Sequence, residues 1–419
     1  MKISERWQAI KYRVFTATLI LLLVTSIGLS ACAEKEIVIG ALLPITGDLS
    51  SAGESANTSL EIAVKDINGY LSEVGFEKRL RLIVEDTETN PEVALERLKY
   101  LKAEGVRVVI GPGSSAEVNE VKEYAEENDI LLISHSSTAT PLAISGDNVF
   151  RFVPDDTLQG EAIARLMWEE GYKAFVPMWR DDVWGGGLFE ATKSSFVKLG
   201  GIVIDGVSYT TTPSTPEDFS VELESLNSKI DHTIAQYDVD SVAVHLMAFQ
   251  EVVTIFNQAQ NYPNLAKVKW YGSDGTAVNQ ELISNEQAAQ FAVRVGYPNP
   301  IVSEVLTEKS ELIKQQIREK IERDPDVYSL VAYDALWVAT KAYLAAGEKT
   351  PDALKKAVRQ EAKQYTGVTG WAFLNEAGDR KFGNYDFWTV LEENGTFQWK
   401  RVAIYRIDPI LPGKVIYIR

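Results

Sequence analysis

Two short hydroxyl-rich tracts and one isolated acid carry the chemistry of this chain. Gly113-Ser114-Ser115-Ala116-Glu117 comes just after Val106–Ile110, a run apolar but for Arg107, and Ser134-His135-Ser136-Ser137-Thr138 directly follows a second apolar run, Ile130–Ile133. Hydroxyls beside free backbone N–H groups suit a carboxylate. A third segment, Gly272-Ser273-Asp274-Gly275, sets one acid in a glycine-flanked turn after Val268–Tyr271. Such an acid can meet a cation, or it can serve only to fold the turn. Ser114 or Ser115 alone reads more readily as a helix cap. The second hydroxyl tract is what favours a binding site.

The elements that must position these residues follow from pattern. Val106–Ile110 is a short β-branched run, as in a strand buried on both faces of a parallel sheet. Gly111-Pro112-Gly113 breaks it. Ser114 through Glu117 has capping-box spacing, so a helix starts there. Ile130–Ile133 is the next strand. Ligands of open α/β sheets bind beyond the carboxyl ends of the strands, so both tracts belong to one crevice. The helix N-terminus adds N–H donors and a partial positive charge.

The same alternation runs through the chain. Glu36–Leu43 reads as a strand, Ser51–Tyr70 as an amphipathic helix, Arg79–Val84 as a strand and Pro91–Ala103 as a helix. After Val149–Pro154 a second run begins. Its helices are Asp156–Glu170, Gly185–Leu199, Phe219–Tyr237 and Gln250–Gln260. Its strands are Ala174–Met178, Gly201–Tyr209, Ser241–Leu246 and Val268–Tyr271, with a Thr/Pro/Ser turn after Tyr209 and Arg180–Trp184 as a loop. Long helices are expected at Val302–Arg323 and Val327–Ala346, a shorter one at Pro351–Gln360, and a strand-rich tail at Val368–Ile418. The pattern predicts an α/β protein with two doubly wound parallel sheets.

Composition bounds the rest. The chain has 419 residues, 45% of them hydrophobic, with nine Trp and a formal charge of −17. That length suggests two or three domains with a sizeable core. The negative balance argues against nucleic acid, whose phosphates need basic patches. Lys2, Arg6, Lys11 and Arg13 precede an apolar run, Val14–Ile27, too short to span a bilayer comfortably. Small residues then lead to Leu29-Ser30-Ala31-Cys32, so residues 1–31 read as a secretory signal. Its removal takes away four positive charges and one negative, and −17 becomes −20. The single cysteine, Cys32, has no partner for an internal disulfide. The four residues ending at Cys32 resemble the lipobox of lipoprotein precursors, which implies a lipid anchor there.

Enzyme readings find little support. The three histidines, His135, His232 and His245, lack metal-ligand spacing, and neither a Gly-x-Ser-x-Gly elbow nor a Walker A loop occurs. Gly185-Gly186-Gly187 lacks the dinucleotide fingerprint, and Asp181/Asp182 fits a solvated loop. No catalytic residue, metal or cofactor is expected.

Four segments, taken in order, resemble the solute-binding lipoproteins of ABC importers for branched-chain amino acids, the type I periplasmic binding fold. They are EIVIGALLPITGDLSSAGES, VVIGPGSSAEVNEV with ILLISHSST, RDDVWGGGL and GVTGWAFLNEAGDRKFGNYDFW. The resemblance implies two lobes joined by three crossings, near Val153–Asp155, Tyr297–Pro300 and Tyr385–Phe387. Residues 32–154 with 298–386 would form lobe 1, and 155–297 with 387–419 lobe 2, closing by a hinge on the ligand. It further implies that Ser115, with Ser114 beside it, meets a ligand carboxylate. Ser136 and Thr138, with Ser137 between them as a further ligand residue, fall on the second contact strand, where a backbone carbonyl and a threonine hydroxyl hold the α-ammonium and the carboxylate; Trp184 closes from the second lobe, and Asp274 meets the α-ammonium. Ala52 stands where the family often carries an aromatic residue, and Phe249 can supply that ring, while His245 reads as a strand-end residue. The expected partners are an amino acid, importer permease subunits and the membrane through Cys32, with the protein itself a monomer. Another amino acid, an amide or a small carboxylate remains open as ligand. A ligand-sensing or scaffold lipoprotein of the same fold remains open as the function.

Overall fold

The computed structural model describes residues 36–211, 218–347, 350–408, 410 and 413–418. The expected signal segment, Cys32 and most of the Thr/Pro/Ser turn after Tyr209 lie outside the described residues.

The first sheet grows from the strands expected of the buried apolar runs. In chain order the elements are β1 (Ile37–Leu43), α1 (Ser50–Glu73), β2 (Leu80–Asp86), α2 (Pro91–Ala103), β3 (Val108–Ile110), α3 (Ser115–Glu127), β4 (Leu131–Ser134) and β5 (Val149–Arg151). The strands are all parallel, in the order β2-β1-β3-β4-β5. Ile39, Val109 and Leu132 are fully buried, as a sheet covered by helices on both faces requires.

The second sheet repeats the scheme. It follows α4 (Asp156–Glu169) and comprises β6 (Ala174–Arg180), then, after α5 (Val183–Lys198), β7 (Ile202–Val203) and β8 (Val207–Tyr209). α6 (Ser220–Ile234), β9 (Val242–Met247), α7 (Val252–Ala259) and β10 (Lys269–Tyr271) complete it, in the order β10-β9-β6-β7 with β8 also beside β6. The single strand expected over Gly201–Tyr209 is two. β7 pairs with Ala174–Phe175 and β8 with Met178–Arg180, so the gap falls opposite Val176-Pro177. Proline has no N–H to give a neighbouring strand.

Helices α8 (Gln280–Ser284) and α9 (Glu286–Val295) lead to β11 (Asn299–Val302), and α10 (Glu308–Ile321), α11 (Val327–Ala345) and α12 (Pro351–Gln364) follow. The expected helix over Val302–Arg323 therefore starts late. Val302 belongs to a strand, and a capping box between Thr307 and Ser310 sets the true start. α8 and α9 were not anticipated. The short pair β12 (Thr366–Gly367) and β13 (Gly370–Trp371) precedes β14 (Tyr385–Glu393), β15 (Thr396–Arg406) and β16 (Lys414–Tyr417). These last three form an antiparallel sheet with β11. Asn394 and Gly395, at φ of 53° and 77°, make the tight turn between β14 and β15.

Pairing of β11 with β14 sets Pro300 against Phe387 and Val302 against Tyr385, so two chain crossings run side by side. The third leads from β5 into α4. The fold is α/β, with two parallel-sheet lobes joined by three crossings. The closing motif is tied back to β5: Arg151 makes a bidentate pair with Asp379 at 2.6 and 2.8 Å, and its third nitrogen donates to Ala139 O at 2.6 Å.

Candidate functional site

The first wall of the site is built by β3, α3 and the end of β4. Ser114 caps α3 in the expected capping box. Its hydroxyl accepts the Glu117 N–H at 3.2 Å, and the Glu117 carboxylate accepts the Ser114 N–H at 2.9 Å. Ser115 begins the helix. Its hydroxyl lies 2.8 Å from that of Ser137 and accepts the Ala139 N–H at 3.2 Å. Ser136 donates to Gly113 O at 2.9 Å, and Ser134 to Pro112 O at 2.6 Å. The two tips are thus stitched to each other, which holds their N–H groups and hydroxyls in one place. A close approach from the β1 loop completes this wall. A Cβ on Gly53 would lie 1.9 Å from Pro44 O, so only glycine lets α1 come so near.

The second wall comes from the other lobe. The Asp182 side chain caps α5 by accepting from Trp184 N–H and Gly185 N–H at 2.9 and 2.8 Å. Trp184, expected in a loop, is therefore fixed in the first turn of a helix. Its ring stacks on Phe249 with centroids 4.5 Å apart and planes at 23°. The Arg180 guanidinium carbon lies 4.4 Å from the same Phe249 ring, a cation–π contact. Arg180 also donates to Glu251 at 2.8 Å and, across the cleft mouth, to Asp48 at 3.3 Å.

Asp274 sits between these walls. Its Oδ2 accepts the Tyr328 hydroxyl at 2.6 Å, and its backbone N–H donates to Gln159 Oε1 at 3.0 Å. Its Oδ1 is buried without a hydrogen-bond partner among the described residues. Burial is the main cause that raises its carboxyl above the usual range, with the Tyr328 hydroxyl opposing it.

A cleft of about 940 Å³, counted to its open mouth, lies between the walls. Six of the expected site residues line it: Ser114, Ser115, Ser136, Trp184, Phe249 and Asp274. Ser137 and Thr138 do not. Ser137 backs Ser115, while Thr138 turns its carbonyl to the Asp156 N–H at 2.8 Å and its hydroxyl towards the Asp156 carboxyl. Ala52 is also in the wall, where its small side chain leaves room. His245, by contrast, is fully buried in the second lobe against Phe175.

Sequence reasoning missed several lining residues. His135, which the sequence offers only as a residue of its tract without metal-ligand spacing, lines the cleft, and its Nδ1 has no hydrogen-bond partner among the described residues. Burial pulls its imidazole down to about 4, which keeps it neutral. Tyr328 and Asp48 also line the cleft and carried no local signal. Among the described residues no group of three His, Cys, Asp or Glu side chains is arranged to hold a metal ion. No described helix is long and apolar enough to cross a membrane.

These features can be set against known proteins. The family described as periplasmic binding protein matches residues 36–390. An uncharacterized protein of Methanocaldococcus jannaschii is 32% identical, over 90% of this chain and 91% of its own. Leu/Ile/Val-binding protein homolog 1 of Brucella abortus is 25% identical, over 86% of this chain and 91% of its own. In fold, the chain is similar to the leucine-binding protein LivK of Thermotoga maritima, with a TM-score of 0.70 and 22% identity over 89% of this chain and 99% of that one. It is similar too to a Rhodopseudomonas palustris solute-binding protein solved with 3,4-dihydroxybenzoic acid, with a TM-score of 0.70 and 16% identity over 90% and 98%. The chain belongs to the periplasmic binding protein family, among the type I solute-binding proteins related to the branched-chain amino acid binders of ABC transporters.

Proposed function

We propose that this protein captures one small amino acid, branched-chain or related, between its two lobes and delivers it to the permease of an ABC importer. The observation that carries the reading is the unpartnered, buried Asp274 Oδ1 in the same cleft as Ser115 and Ser136. A zwitterion needs an anion for its ammonium and donors for its carboxylate, and leaving either buried charge unmet is costly. In this reading Ser114 and Ser115 receive the carboxylate on the α3 N-terminus, and Ser136 contributes from the β4 tip. Ser137 and Thr138 hold that tip in place, Asp274 takes the ammonium, and Trp184 with Phe249 walls the side chain.

Lobe 1 is residues 32–154 with 298–386, and lobe 2 is 155–297 with 387–419. The protein acts as a monomer outside the cytoplasm, held to the membrane by a lipid on Cys32.

A second reading, capture of a small aromatic carboxylate, draws on the Trp184–Phe249 stack and on the dihydroxybenzoate-bound neighbour. Asp274 weighs against it, because a buried carboxylate facing an anion without an ammonium is destabilising.

Thermal-shift screening against amino acids, amides and short carboxylates, dihydroxybenzoate included, tests both. A true ligand at a hundredfold excess over Kd should stabilise the protein by about 2.7 kcal/mol. A shift with dihydroxybenzoate and no amino acid would select the second reading, and no shift at all would favour a scaffold.

A further inference from the structure

Asp274 has a second acid behind it. Asp156, in the first turn of α4, has no exposed surface, and Gln159 one turn on joins the two residues. The Gln159 amide nitrogen donates to Asp156 Oδ1 at 2.7 Å, while its oxygen accepts the Asp274 backbone N–H at 3.0 Å. Among the described residues each acid keeps one buried oxygen without a hydrogen-bond partner, Oδ2 on Asp156 and Oδ1 on Asp274. The Tyr385 hydroxyl, buried and also unpartnered, feels the charge of both carboxyls.

We propose that Asp156 and Asp274 form one proton-sharing seat, and that a ligand ammonium exchanges for the shared proton when it binds. The O–H bond of the protonated carboxyl breaks, its proton leaves to water, and the ammonium hydrogen-bonds to the freed Asp274 oxygen. Asp156 acts through Asp274 as a positioning residue. The substrate class follows: the cleft selects a ligand that brings its own cation, and it binds that cation more tightly as pH rises. This inference rests on the amino-acid reading above.

The surroundings favour one proton over none or two. Burial raises both carboxyls, and the negative charge of Asp274 raises Asp156 further. Asp155 adds to that repulsion. From β5 the Arg151 guanidinium opposes it, and so does the Thr138 hydroxyl from the β4 tip, but Arg151 is already paired with Asp379. From α11, Tyr328 donates to Asp274 and favours its charged form. Arg323 lines the same cleft, but its guanidinium donates to Ser55, to Ser51 O and to Glu54. Two buried acids bridged by one glutamine do not both ionise readily, whereas an arriving ammonium removes the penalty.

The test uses the protein with its native amino-terminal segment, solubilised in mild detergent. The probe is L-leucine or, failing that, whichever of the twenty amino acids most raises Tm. Calorimetry in buffers of different ionisation enthalpy should find nearly one proton released per amino acid at the acid end, falling to none at the alkaline end. Kd should fall by about tenfold per pH unit where the pair holds its proton. Asp156→Asn should move that midpoint to lower pH. A flat Kd with no proton release, or an Asp156→Asn profile that overlays the wild type, overturns the proposal.

The ligand-free protein gives a second readout. Its infrared spectrum should contain a protonated-carboxyl band that vanishes in Asp156→Asn and, with no variant needed, in wild type on raising the pH. If no amino acid binds, the functional reading falls, and this band still decides the shared proton. Its absence overturns the seat.

Discussion

Tyr328, in the first turn of α11, donates its hydroxyl at 2.6 Å to Asp274 Oδ2, so one side of the cleft grips the other side's acid. Both residues line the cleft. Removing the hydroxyl takes the 2.6 Å donor from the Asp274 carboxyl, and a hydrogen bond to a charged group contributes about 1.5–3 kcal/mol. Tyr328→Phe is expected to weaken amino-acid binding by about ten- to a hundredfold by calorimetry. An unchanged Kd would mean that the charged form of Asp274 does not need this donor.

Asp274 should show opposite effects on stability and binding. Asp274→Asn removes a carboxyl that burial disfavours in its charged state, so the ligand-free Tm at neutral pH should rise. The same change removes the partner of the ammonium, and affinity should drop by at least about tenfold. Thermal melts with and without amino acid measure both. Affinity retained within that margin would exclude Asp274 as the ammonium partner.

Arg180 and Asp48 span the mouth of the cleft at 3.3 Å, with the Asp48 side chain 39% exposed. Asp48→Ala leaves Arg180 paired with Glu251, so the fold should hold. Exposed pairs contribute up to about 1 kcal/mol, which predicts at most about a fivefold loss of affinity. High salt should shrink the difference. Small-angle scattering should find a larger fraction of open molecules, and equal scattering profiles would deny the pair any part in closure.

Asp326 caps α11 by accepting the Ser329 N–H at 3.0 Å, and burial raises its carboxyl to about 6. Its folded value thus lies above the ordinary 3.8, and the folded state holds the proton more tightly. The stabilisation this gives is full below pH 3.8 and is lost as pH rises through about 6. Asn at this position keeps the cap and cannot titrate. Urea unfolding of ligand-free Asp326→Asn should therefore show a shallower downward slope in that window than wild type. A curve parallel to wild type would remove Asp326 from the pH dependence.

The Arg151–Asp379 pair is almost fully buried, at 0% and 2% side-chain exposure. Asp379→Ala leaves the guanidinium without its acid, and breaking such a pair costs about 3–5 kcal/mol. The urea midpoint should fall accordingly. Arg151 also holds Ala139 O, and Ala139 N–H binds Ser115, so affinity should weaken as well. A loss below about 1 kcal/mol would indicate that solvent reaches the arginine.

Parts of this molecule were legible because their physics is local. Ser114 and Glu117 are three residues apart, so the capping box reads directly off the chain, and Val108–Ile110 is a strand because its β-branched run cannot be solvated. Trp184 reads as a loop residue in the sequence because its cap, Asp182, sits among look-alike acids. Val302 reads as helical because pairing with Tyr385, far along the chain, decides its state. Thr138 was expected in the pocket because its tract runs along one wall. Whether that tract faces inward depends on what α4 presents to it, and there the Asp156 N–H holds the Thr138 carbonyl.

The amino-acid sequence by itself determined the two parallel sheets, the hydroxyl tips at their strand ends and the acid at a turn, because apolar period, capping and turn chemistry act over a few residues. Only the tertiary structure decided that Tyr328 holds Asp274, that Asp156 lies behind it and that Arg180 reaches Asp48. Those partners stand up to 132 residues apart, and distance along the chain carries no information about which charges meet once water is excluded.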